Sequence, residues 1–229
     1  MDERRAVVLL SGGLDSATTL AIAKAQGYAV YAMSFRYGQT HDIELAAARA
    51  QAEAQGVVEH IVVDIDLGAI GGTRLVKSAQ RPAVEDSPIP ATYVPARNTI
   101  FLSFALAWAE VLEADAIFIG VNAIDYSGYP DCRPQFIQAF ERVARLATRA
   151  GVEERTQVRI EAPLIHCTKG EIVRRAIEHR IDLTKTHSCY FPDERGRSCG
   201  TCASCRLRRK GFAEAGLRDP LPYVDEEAS

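Results

Sequence analysis

Long apolar segments and a strong excess of either charge are both missing from this sequence. No apolar run of about 18 residues, the length that a membrane-spanning helix needs, occurs in it. Its 27 Lys and Arg residues are nearly balanced by 30 Asp and Glu residues, for a net charge of -3. Because a nucleic-acid-binding surface usually gives a basic excess, we expect no nucleic acid among the partners. Because no apolar run is long enough to span a bilayer, we expect no membrane either. The chain enters its first strand directly after Arg5, without a signal-like segment, which predicts a cytoplasmic protein.

A Walker A motif is missing as well, which argues against a GTPase or kinase of the P-loop type. The six cysteines form an even number, as in disulfide-linked secreted proteins. Four of them, however, are crowded near the C-terminal end, at Cys189, Cys199, Cys202 and Cys205. In a reducing compartment this clustering indicates a metal site.

Strand-like apolar runs alternate with helix-like segments along most of the chain. We expect strands at 6–10, 29–35, 57–65, 116–120 and 157–160, and helices at 13–26, 44–55, 97–113, 134–150 and 169–179. The alternation predicts an α/β fold with a doubly wound, mostly parallel five-stranded sheet. The segment 67–95 is rich in glycine and proline and interrupts the pattern, so we expect a functional or mobile loop there.

The most informative stretch is Ser11-Gly12-Gly13-Leu14-Asp15-Ser16, which lies between the first strand and the first helix. The two glycines let the backbone turn sharply, and the serine hydroxyls add to the amides at the helix start, so the turn can bind an anion. It resembles the SGGxDS pyrophosphate loop of the PP-loop ATP pyrophosphatases, which cleave ATP between the α and β phosphates. The resemblance implies a Rossmann-like PP-loop (HUP) fold. It also implies an ATP-binding segment formed by Leu10, Ser11, Gly12, Gly13, Leu14, Asp15, Ser16, Ala17, Thr18, Thr19 and Leu20.

Four more stretches make the resemblance closer. They are Tyr37-Gly38-Gln39, the run VPARN at 94–98, the run SGYPDCR at 127–133 and the run THSCY at 186–190. Together with the pyrophosphate loop they resemble the 7-cyano-7-deazaguanine synthase family of queuosine biosynthesis, over essentially the whole chain. The resemblance implies an ATP-dependent carbon-nitrogen ligase that converts 7-carboxy-7-deazaguanine and ammonia to 7-cyano-7-deazaguanine (preQ0), and it suggests a homodimer. The chain is too short to hold a glutaminase domain in addition, so free ammonia is the expected nitrogen source.

The implied chemistry agrees with what a carboxylate requires. A carboxylate is a poor electrophile until one of its oxygens is transferred to AMP. Ammonia then attacks the acyl adenylate to give the amide, and a second adenylation of the amide oxygen allows the nitrile to form. Such catalysis depends chiefly on positioning and on neutralising phosphate charge, so we expect cations, including Mg2+, around the phosphates.

Three residues are the candidate catalytic groups. Lys169 begins a predicted helix and resembles the lysine that other PP-loop enzymes direct at the pyrophosphate; the alternative is a solvated lysine in the first turn. Arg97 also begins a helix and can bind the substrate carboxylate or an ATP phosphate, or else form a salt bridge at the helix start. Asp15 can hold Mg2+ on the phosphates, stabilise the N-terminus of its helix, or both.

Candidate substrate-binding residues follow the ends of the predicted strands, where ligands bind in open α/β sheets. They are Tyr37, Gln39, Arg97, Asp125, Tyr126 and Asp131. Either Asp125 or Asp131 can accept hydrogen bonds from the N1-H and 2-amino edge of the deazaguanine, with Tyr126, Tyr129 or Phe35 stacked on the ring. His41 and His166 are possible bases, but a lone histidine is more often structural, and neither is assigned.

The four clustered cysteines predict a metal centre with a structural role. Thiolates at the spacings of Cys189, Cys199, Cys202 and Cys205 can surround one tetrahedral Zn2+, and four protein ligands leave no open coordination position. We therefore expect one structural zinc ion per chain. We also expect residues 1–185 to form a PP-loop adenylating domain, with residues 186–229 as a small zinc-binding helical region packed on it.

Two other functions compete with this interpretation. One is a PP-loop tRNA-modifying enzyme, such as a thiolation enzyme, with an iron-sulfur cluster at the cysteines and RNA held by the arginines around them. The balance of charge and the absence of an added RNA-binding domain argue against it. The other is a nucleotide-binding module without catalytic activity.

Overall fold

The computed structural model describes residues 3–39, 42–76, 89–123, 128–153 and 157–224. Its strands are β1 (Arg5–Leu9), β2 (Ala29–Arg36), β3 (Glu59–Asp64), β4 (Ala116–Phe118) and β5 (Arg159–Glu161). Its α-helices are α1 (Leu14–Ala25), α2 (Ile43–Gln55), α3 (Arg97–Val111), α4 (Pro134–Ala147), α5 (Arg149–Val152), α6 (Lys169–Glu178) and α7 (Ala203–Glu214). Single turns of 3-10 helix lie at Pro130–Cys132 and Leu183–Lys185.

The five strands form one sheet in the order β3-β2-β1-β4-β5, and each neighbouring pair is parallel. In the register, Ala6 of β1 pairs with Val30 on one side and with Ala116 on the other. The chain therefore winds outward from β1 in one direction and then in the other. Because ligands bind beyond the carboxyl ends of the strands where the order reverses, the ends of β1 and β4 define the expected site.

Alternate side chains of β1 explain why helices cover both faces of the sheet. Val7 and Leu9 are buried against the face that carries α3 and α4, whereas Ala6 and Val8 are buried against the face that carries α1 and α2. A strand that is buried on both faces is typical of a doubly wound parallel sheet. The predicted fold class is therefore confirmed, with a sheet that is entirely parallel.

Helices α6 and α7 form a further layer over α1. Leu14 and Ala17 of α1 pack against Leu164 and Ile172, and Phe212 of α7 joins the same buried cluster. This layer brings the C-terminal region next to the first helix of the chain. None of the helices in the described part of the chain combines the length and the apolar character needed to cross a bilayer.

Several predicted boundaries differ from the observed ones. The helix expected at 134–150 is interrupted at Thr148, whose hydroxyl donates to the Ala144 carbonyl at 2.8 Å and accepts from the Gly151 N–H at 3.1 Å. This side chain replaces the backbone hydrogen bonds that would continue α4. The strand expected at 157–160 is observed at Arg159–Glu161, and the centre of the expected loop, residues 77–88, lies outside the described residues.

Candidate active site

A cavity of about 230 Å³ lies beyond the carboxyl ends of β1, β2 and β4. Side chains from the loop after β1, the loop after β2 and the start of α3 line it, together with residues of α6 and α7. Thr92, Tyr93 and Val94, from the described end of the predicted long loop, also line it. The three strand-end loops that the sequence singles out therefore meet at one cavity, as far as their residues are described.

The loop at Ser11–Ser16 is held by the hydroxyl group of Ser16. This oxygen accepts a hydrogen bond from the Ser11 N–H at 3.2 Å and donates one to the Gly13 carbonyl at 3.1 Å. Gly13 is the N-cap residue of α1 and contributes no side-chain hydrogen bond there. The first N–H groups of α1 are therefore left for a ligand, and the positive end of the helix dipole favours an anion.

The packing around residue 12 explains why this loop requires glycine there. Its φ is +84°, and a Cβ atom at this position would overlap the Glu44 carbonyl oxygen and the Ala48 backbone nitrogen. The loop thus packs directly on the first turns of α2, and no residue with a side chain fits between them.

Lys169 and Asp15 form an ion pair beside the loop. The Lys169 Nζ atom lies 2.9 Å from Asp15 Oδ1 and 2.8 Å from Oδ2, and the lysine side chain is 5% exposed. Lys169 is the first residue of α6, which begins with a capping box between Thr168 and Glu171. The alternative of a solvated first-turn lysine is therefore wrong. Because a buried charge without a partner is costly, we expect the ion pair to stay intact until an anionic ligand competes for the ammonium group.

Gly211 of α7 contributes to the position of this lysine. A Cβ atom at Gly211 would overlap the Lys169 Cγ atom and would lie 3.0 Å from its Cβ atom. Helix α7 thus packs against the aliphatic part of Lys169 because residue 211 has no side chain. The helix that carries Cys205 therefore also forms one wall of the lysine's environment.

Arg97 lines the cavity from the first residue of α3. Burial lowers the pKa of Arg97, but the neighbouring Tyr37, Cys132, Asp131 and Tyr190 groups together raise it above the ordinary value, so the guanidinium stays charged. Burial and the Glu44 carboxylate raise the pKa of Tyr37, which hydrogen-bonds Arg97. The site thus keeps one fixed cation next to a neutral phenol, and such a group can bind a carboxylate in bidentate fashion.

Asp131 is buried and holds the start of α3. Its Oδ2 atom accepts from the Asn98 N–H at 3.0 Å, and its carbonyl oxygen accepts from the Asn98 side-chain amide at 3.0 Å. It also lines the cavity. One of its carboxylate oxygens is therefore already engaged by the helix. A role of Asp131 in recognising the deazaguanine stays a prediction.

The other predicted substrate contacts have mixed positions. Gln39 also lines the cavity. Its side-chain amide accepts a hydrogen bond from the Tyr37 N–H at 2.8 Å and donates one to the Phe35 carbonyl at 3.2 Å, so it shapes the loop after β2. Phe35 stacks on Phe101 with ring centroids 3.9 Å apart, which covers one face of its ring. Asp125 and Tyr126, like His41, lie outside the described residues.

The predicted ATP-binding segment divides into two parts. The cavity is lined by Leu10, Ser11, Gly13, Leu14, Asp15 and Ser16. Gly12, which packs on α2, is not among the described lining residues. The later members Ala17, Thr18, Thr19 and Leu20 are fully buried in α1 and are not among them either. Their contact with ATP stays a prediction that this geometry does not favour.

Several residues of the cavity were not assigned to the site from the sequence, among them Glu44, Cys132 and His187. Burial raises the pKa of Glu44 to about 7, against the opposing effect of Arg97, and burial raises the pKa of Cys132 to about 12. The only sequence signal for Glu44 is its position just after the loop that follows β2. That signal is weak because an acidic residue in the first turn of an alanine-rich helix is common without any function.

The cysteine cluster has the donor set of a structural zinc centre. The four Sγ atoms of Cys189, Cys199, Cys202 and Cys205 all lie within 4.8 Å of one another, and those of Cys199 and Cys205 are 3.9 Å apart. A tetrahedron with zinc-sulfur bonds of about 2.3 Å has edges of about 3.8 Å, so the residues fit the ion.

Backbone N–H groups surround the sulfur atoms. Cys189 Sγ accepts from the N–H groups of Phe191 and Cys199 at 3.3 and 3.2 Å, and Cys199 Sγ accepts from the Cys202 N–H at 3.3 Å. Such hydrogen bonds stabilise thiolates, which are the form that binds a metal.

His187 connects the cysteine cluster to the pyrophosphate loop although the two lie at opposite ends of the sequence. The His187 N–H donates to the Gly12 carbonyl at 2.9 Å, and His187 also contacts Cys189 through its ring, with Nε2 lying 3.2 Å from the cysteine carbonyl. Arg208 of α7 is buried and donates to the Thr186 hydroxyl at 2.8 Å. The segment between the loop and the cluster is thus fixed at both of its ends.

The sheet order, the loop at the switch point and the buried lysine-aspartate pair together define the class: an ATP-using synthase of the PP-loop type. Among solved structures, a 4-thiouridine synthetase in complex with RNA and bound ATP superposes with a TM-score of 0.52 at 18% identity, over 93% of this chain and 50% of that chain. A likeness at this identity shows the fold alone.

The relatives by sequence are far closer. The family model described as "Queuosine biosynthesis protein QueC" matches residues 5–216. A 7-cyano-7-deazaguanine synthase of Desulfatibacillum aliphaticivorans is 58% identical over 229 residues, covering 98% of each chain. One of Pelobacter propionicus is 60% identical over 222 residues, covering 96% of this chain and 98% of that protein. The chain therefore belongs to the QueC family of queuosine biosynthesis proteins.

Proposed function

We propose that this chain converts 7-carboxy-7-deazaguanine and ammonia to 7-cyano-7-deazaguanine, at the expense of ATP, through an adenylated acid, an amide and an adenylated amide. The observation that carries the proposal is the convergence of the Ser11–Ser16 loop, the Lys169–Asp15 pair and Arg97 on one cavity. That set combines an anion-binding turn, a cation for pyrophosphate and a separate cation for a carboxylate. Family membership supports the same reaction.

Each group has a proposed role in the adenylation steps. The loop and the first N–H groups of α1 bind the phosphates, and Lys169 neutralises the departing pyrophosphate. The phosphates compete with Asp15 for the lysine, which leaves the Asp15 oxygens available to Mg2+. Arg97 orients the substrate carboxylate towards the α phosphate. This positioning makes attack on ATP an intramolecular step of the bound complex.

The deazaguanine is proposed to lie at the side of the cavity formed by Tyr37, Gln39 and Asp131, with Asp125 and Tyr126 as further predicted contacts outside the described residues. Tyr129 is a candidate for stacking, and its hydroxyl is positioned by Thr92 at 2.8 Å. Both activations, first of the acid and then of the amide, are assigned to this one cavity, with the amide held where the acid was bound.

The proposal extends to the metal, the domain organisation, the assembly and the partners of the protein. One Zn2+ binds the four cysteines with a structural role, and residues 186–229 form a zinc-binding region packed on an adenylating domain formed by residues 1–185. The protein functions as a cytoplasmic homodimer and takes free ammonia. It uses no nucleic acid or membrane as a partner.

The test is product analysis with purified protein. Incubation with ATP, Mg2+, ammonium and 7-carboxy-7-deazaguanine should yield the nitrile and AMP, both measured by mass spectrometry. Omitting ammonium should stop the nitrile but still allow acid-dependent exchange between pyrophosphate and ATP. Absence of that exchange under all conditions would contradict the proposed adenylation.

A further inference from the structure

Among the described residues of the cavity, Glu44 is an acidic side chain to which neither the adenylation steps nor the binding of the deazaguanine assigns a role. Resting on the proposed function, we propose that the Glu44 carboxylate is the base that takes a proton from ammonium next to Arg97, so that ammonia is formed beside the activated carboxyl group.

The position of Glu44 follows from the packing of α2. Glu44 is the second residue of this helix, and its carbonyl oxygen lies against Gly12 in the pyrophosphate loop. Its side chain lines the cavity, where the groups that face it are Tyr37 from the loop after β2 and Arg97 from α3. Since Arg97 is the proposed partner of the substrate carboxylate, Glu44 lies where the nitrogen has to arrive.

Elimination among the described lining residues favours the same group. Asp15 is paired with Lys169, or bound to Mg2+ in the proposed complex with ATP, and Asp131 accepts the Asn98 N–H. Tyr37 and Cys132 have raised pKa values and keep their protons near neutral pH.

The ring of His187 is placed against the Cys189 carbonyl. Within the described residues, the Glu44 carboxylate forms no hydrogen bond, and the charge that acts on it is that of Arg97. It is thus the carboxylate best placed to accept a proton from a ligand.

The step balances without any further reactant. Ammonium gives one proton to the Glu44 carboxylate and becomes ammonia. The ammonia lone pair forms the bond to the acyl carbon, the bond from that carbon to the AMP oxygen breaks, and AMP leaves with the electron pair. The second proton lost from nitrogen and the proton on Glu44 are released to water.

The charge and acidity of Glu44 suit both halves of this role. As a carboxylate it attracts a small cation to a partly buried position close to Arg97. Its raised pKa, to about 7, lets it take the proton and return it near neutral pH. An ordinary carboxyl group would be a weaker base by more than two orders of magnitude in its proton affinity.

The experiment compares Glu44→Gln with the wild-type protein, and with Glu53→Gln on the exposed face of the same helix as the matched control. Acid-dependent exchange between pyrophosphate and ATP measures adenylation without ammonia. Turnover with ammonium measures the proposed step, and turnover with hydroxylamine, which is already neutral near neutral pH, bypasses it. We expect Glu44→Gln to keep exchange within about twofold, to lose on the order of 10²-fold with ammonium and to keep hydroxamate formation.

The pH profile gives a second readout that does not need the variant to fold. At fixed total ammonium, the wild-type rate should rise until the pH passes about 7 and level off above that value, where the Glu44 carboxyl group is mostly ionised. Without a base, the rate follows free ammonia and rises about tenfold per pH unit, which is the profile expected of Glu44→Gln.

Equal loss with ammonium and hydroxylamine would overturn the proposal, as would loss of exchange, which would make Glu44 a substrate-binding residue. A wild-type profile that rises without levelling off would overturn it too. If the wild-type protein itself shows no acid-dependent exchange, the proposed function fails instead, so the two failures are distinguishable.

Discussion

The loop at Ser11–Ser16 and the cysteine cluster are both turns that lead into a helix, α1 in the first case and α7 in the second. In the loop, the N-cap residue Gly13 offers no side chain to the helix, so its N–H groups remain for a ligand that comes and goes. In the cluster, the N-cap residue Cys202 accepts the Cys205 N–H on its own sulfur at 3.4 Å. The same backbone feature thus leaves N–H groups open to a ligand in one region and donates to a cysteine sulfur in the other.

The contact between the two regions changes what the cysteines are expected to do. From the sequence alone, the distance along the chain suggests that zinc and ATP binding are independent. In the folded chain, His187 connects the cluster to Gly12, and Gly211 packs against Lys169. A metal bound by the four cysteines would therefore also stabilise this wall of the cavity.

Removing one thiolate gives the largest expected effect. Cys202→Ser should lose the metal, and the freed segment should weaken ATP binding as well as lower the melting temperature, since the hydrogen bond from His187 to Gly12 is no longer supported. Metal content, ATP affinity and thermal unfolding measure this. Cys167→Ser is the matched control, because that buried thiol lies outside the cluster and should leave all three nearly unchanged. Normal ATP affinity in metal-free protein would show that the two regions are independent.

Separating the charges of the loop region comes next. Asp15→Ala leaves the buried Lys169 ammonium without its carboxylate, so it should lower the free energy of unfolding by about 3 kcal/mol and abolish most turnover. The double variant Asp15→Ala with Lys169→Met should recover much of the stability and none of the turnover. Denaturant unfolding measures the first quantity and AMP release the second. If the single and double variants are equally stable, the pair does not contribute as described.

A third prediction concerns the carboxyl group of Glu44, in the first turn of α2 that packs on the loop. Its pKa is 4.5 in the unfolded chain and about 7 in the folded one, so between these values the folded chain binds a proton that the unfolded chain releases. Folding stability from this group is therefore full below pH 4.5 and is lost as the pH rises through 7. Glu44→Gln should raise the free energy of unfolding at pH 8 by about 3 kcal/mol and leave it nearly unchanged at pH 4.5. Denaturant unfolding at both pH values checks the sign; no gain at pH 8 means that the carboxylate is well solvated.

The smallest expected effect tests the packing between α7 and the lysine. Gly211→Ala should gain about 1 kcal/mol from helix propensity, but the overlap with Lys169 should outweigh the gain, lower the melting temperature slightly and reduce turnover about tenfold. Ala213→Gly, at an exposed position of the same helix, should cost stability alone and leave turnover unchanged. A Gly211→Ala protein that is more stable and fully active would show that packing of α7 does not position Lys169.

The sequence was most informative where a local pattern determines the structure. Alternating apolar runs predicted the parallel sheet, and the loop at Ser11–Ser16 and the cysteine cluster were identified from residue type and spacing. Lys169 was found from its resemblance to the lysine of other PP-loop enzymes and from its position at a helix start, where a cation is locally unfavourable. Arg97 was found from its position at another helix start and from the bidentate contacts that a guanidinium can make.

What could not be predicted depends on contacts between distant segments. Glu44 lines the cavity only because α2 packs on Gly12, and Asp131 is engaged by Asn98, far from it along the chain. The contact of His187 with the loop likewise requires the layer formed by α6 and α7. No local pattern specifies these pairings, since each depends on how complete elements pack.

The central claim is that one cavity activates the same carbon twice, and the ratio of AMP to nitrile tests it most directly. Starting from the acid, the account predicts two AMP released for each nitrile formed; starting from the isolated amide, it predicts one AMP, with the nitrile formed without added ammonium. A ratio of one from the acid, or an amide that the protein cannot convert, would contradict the account.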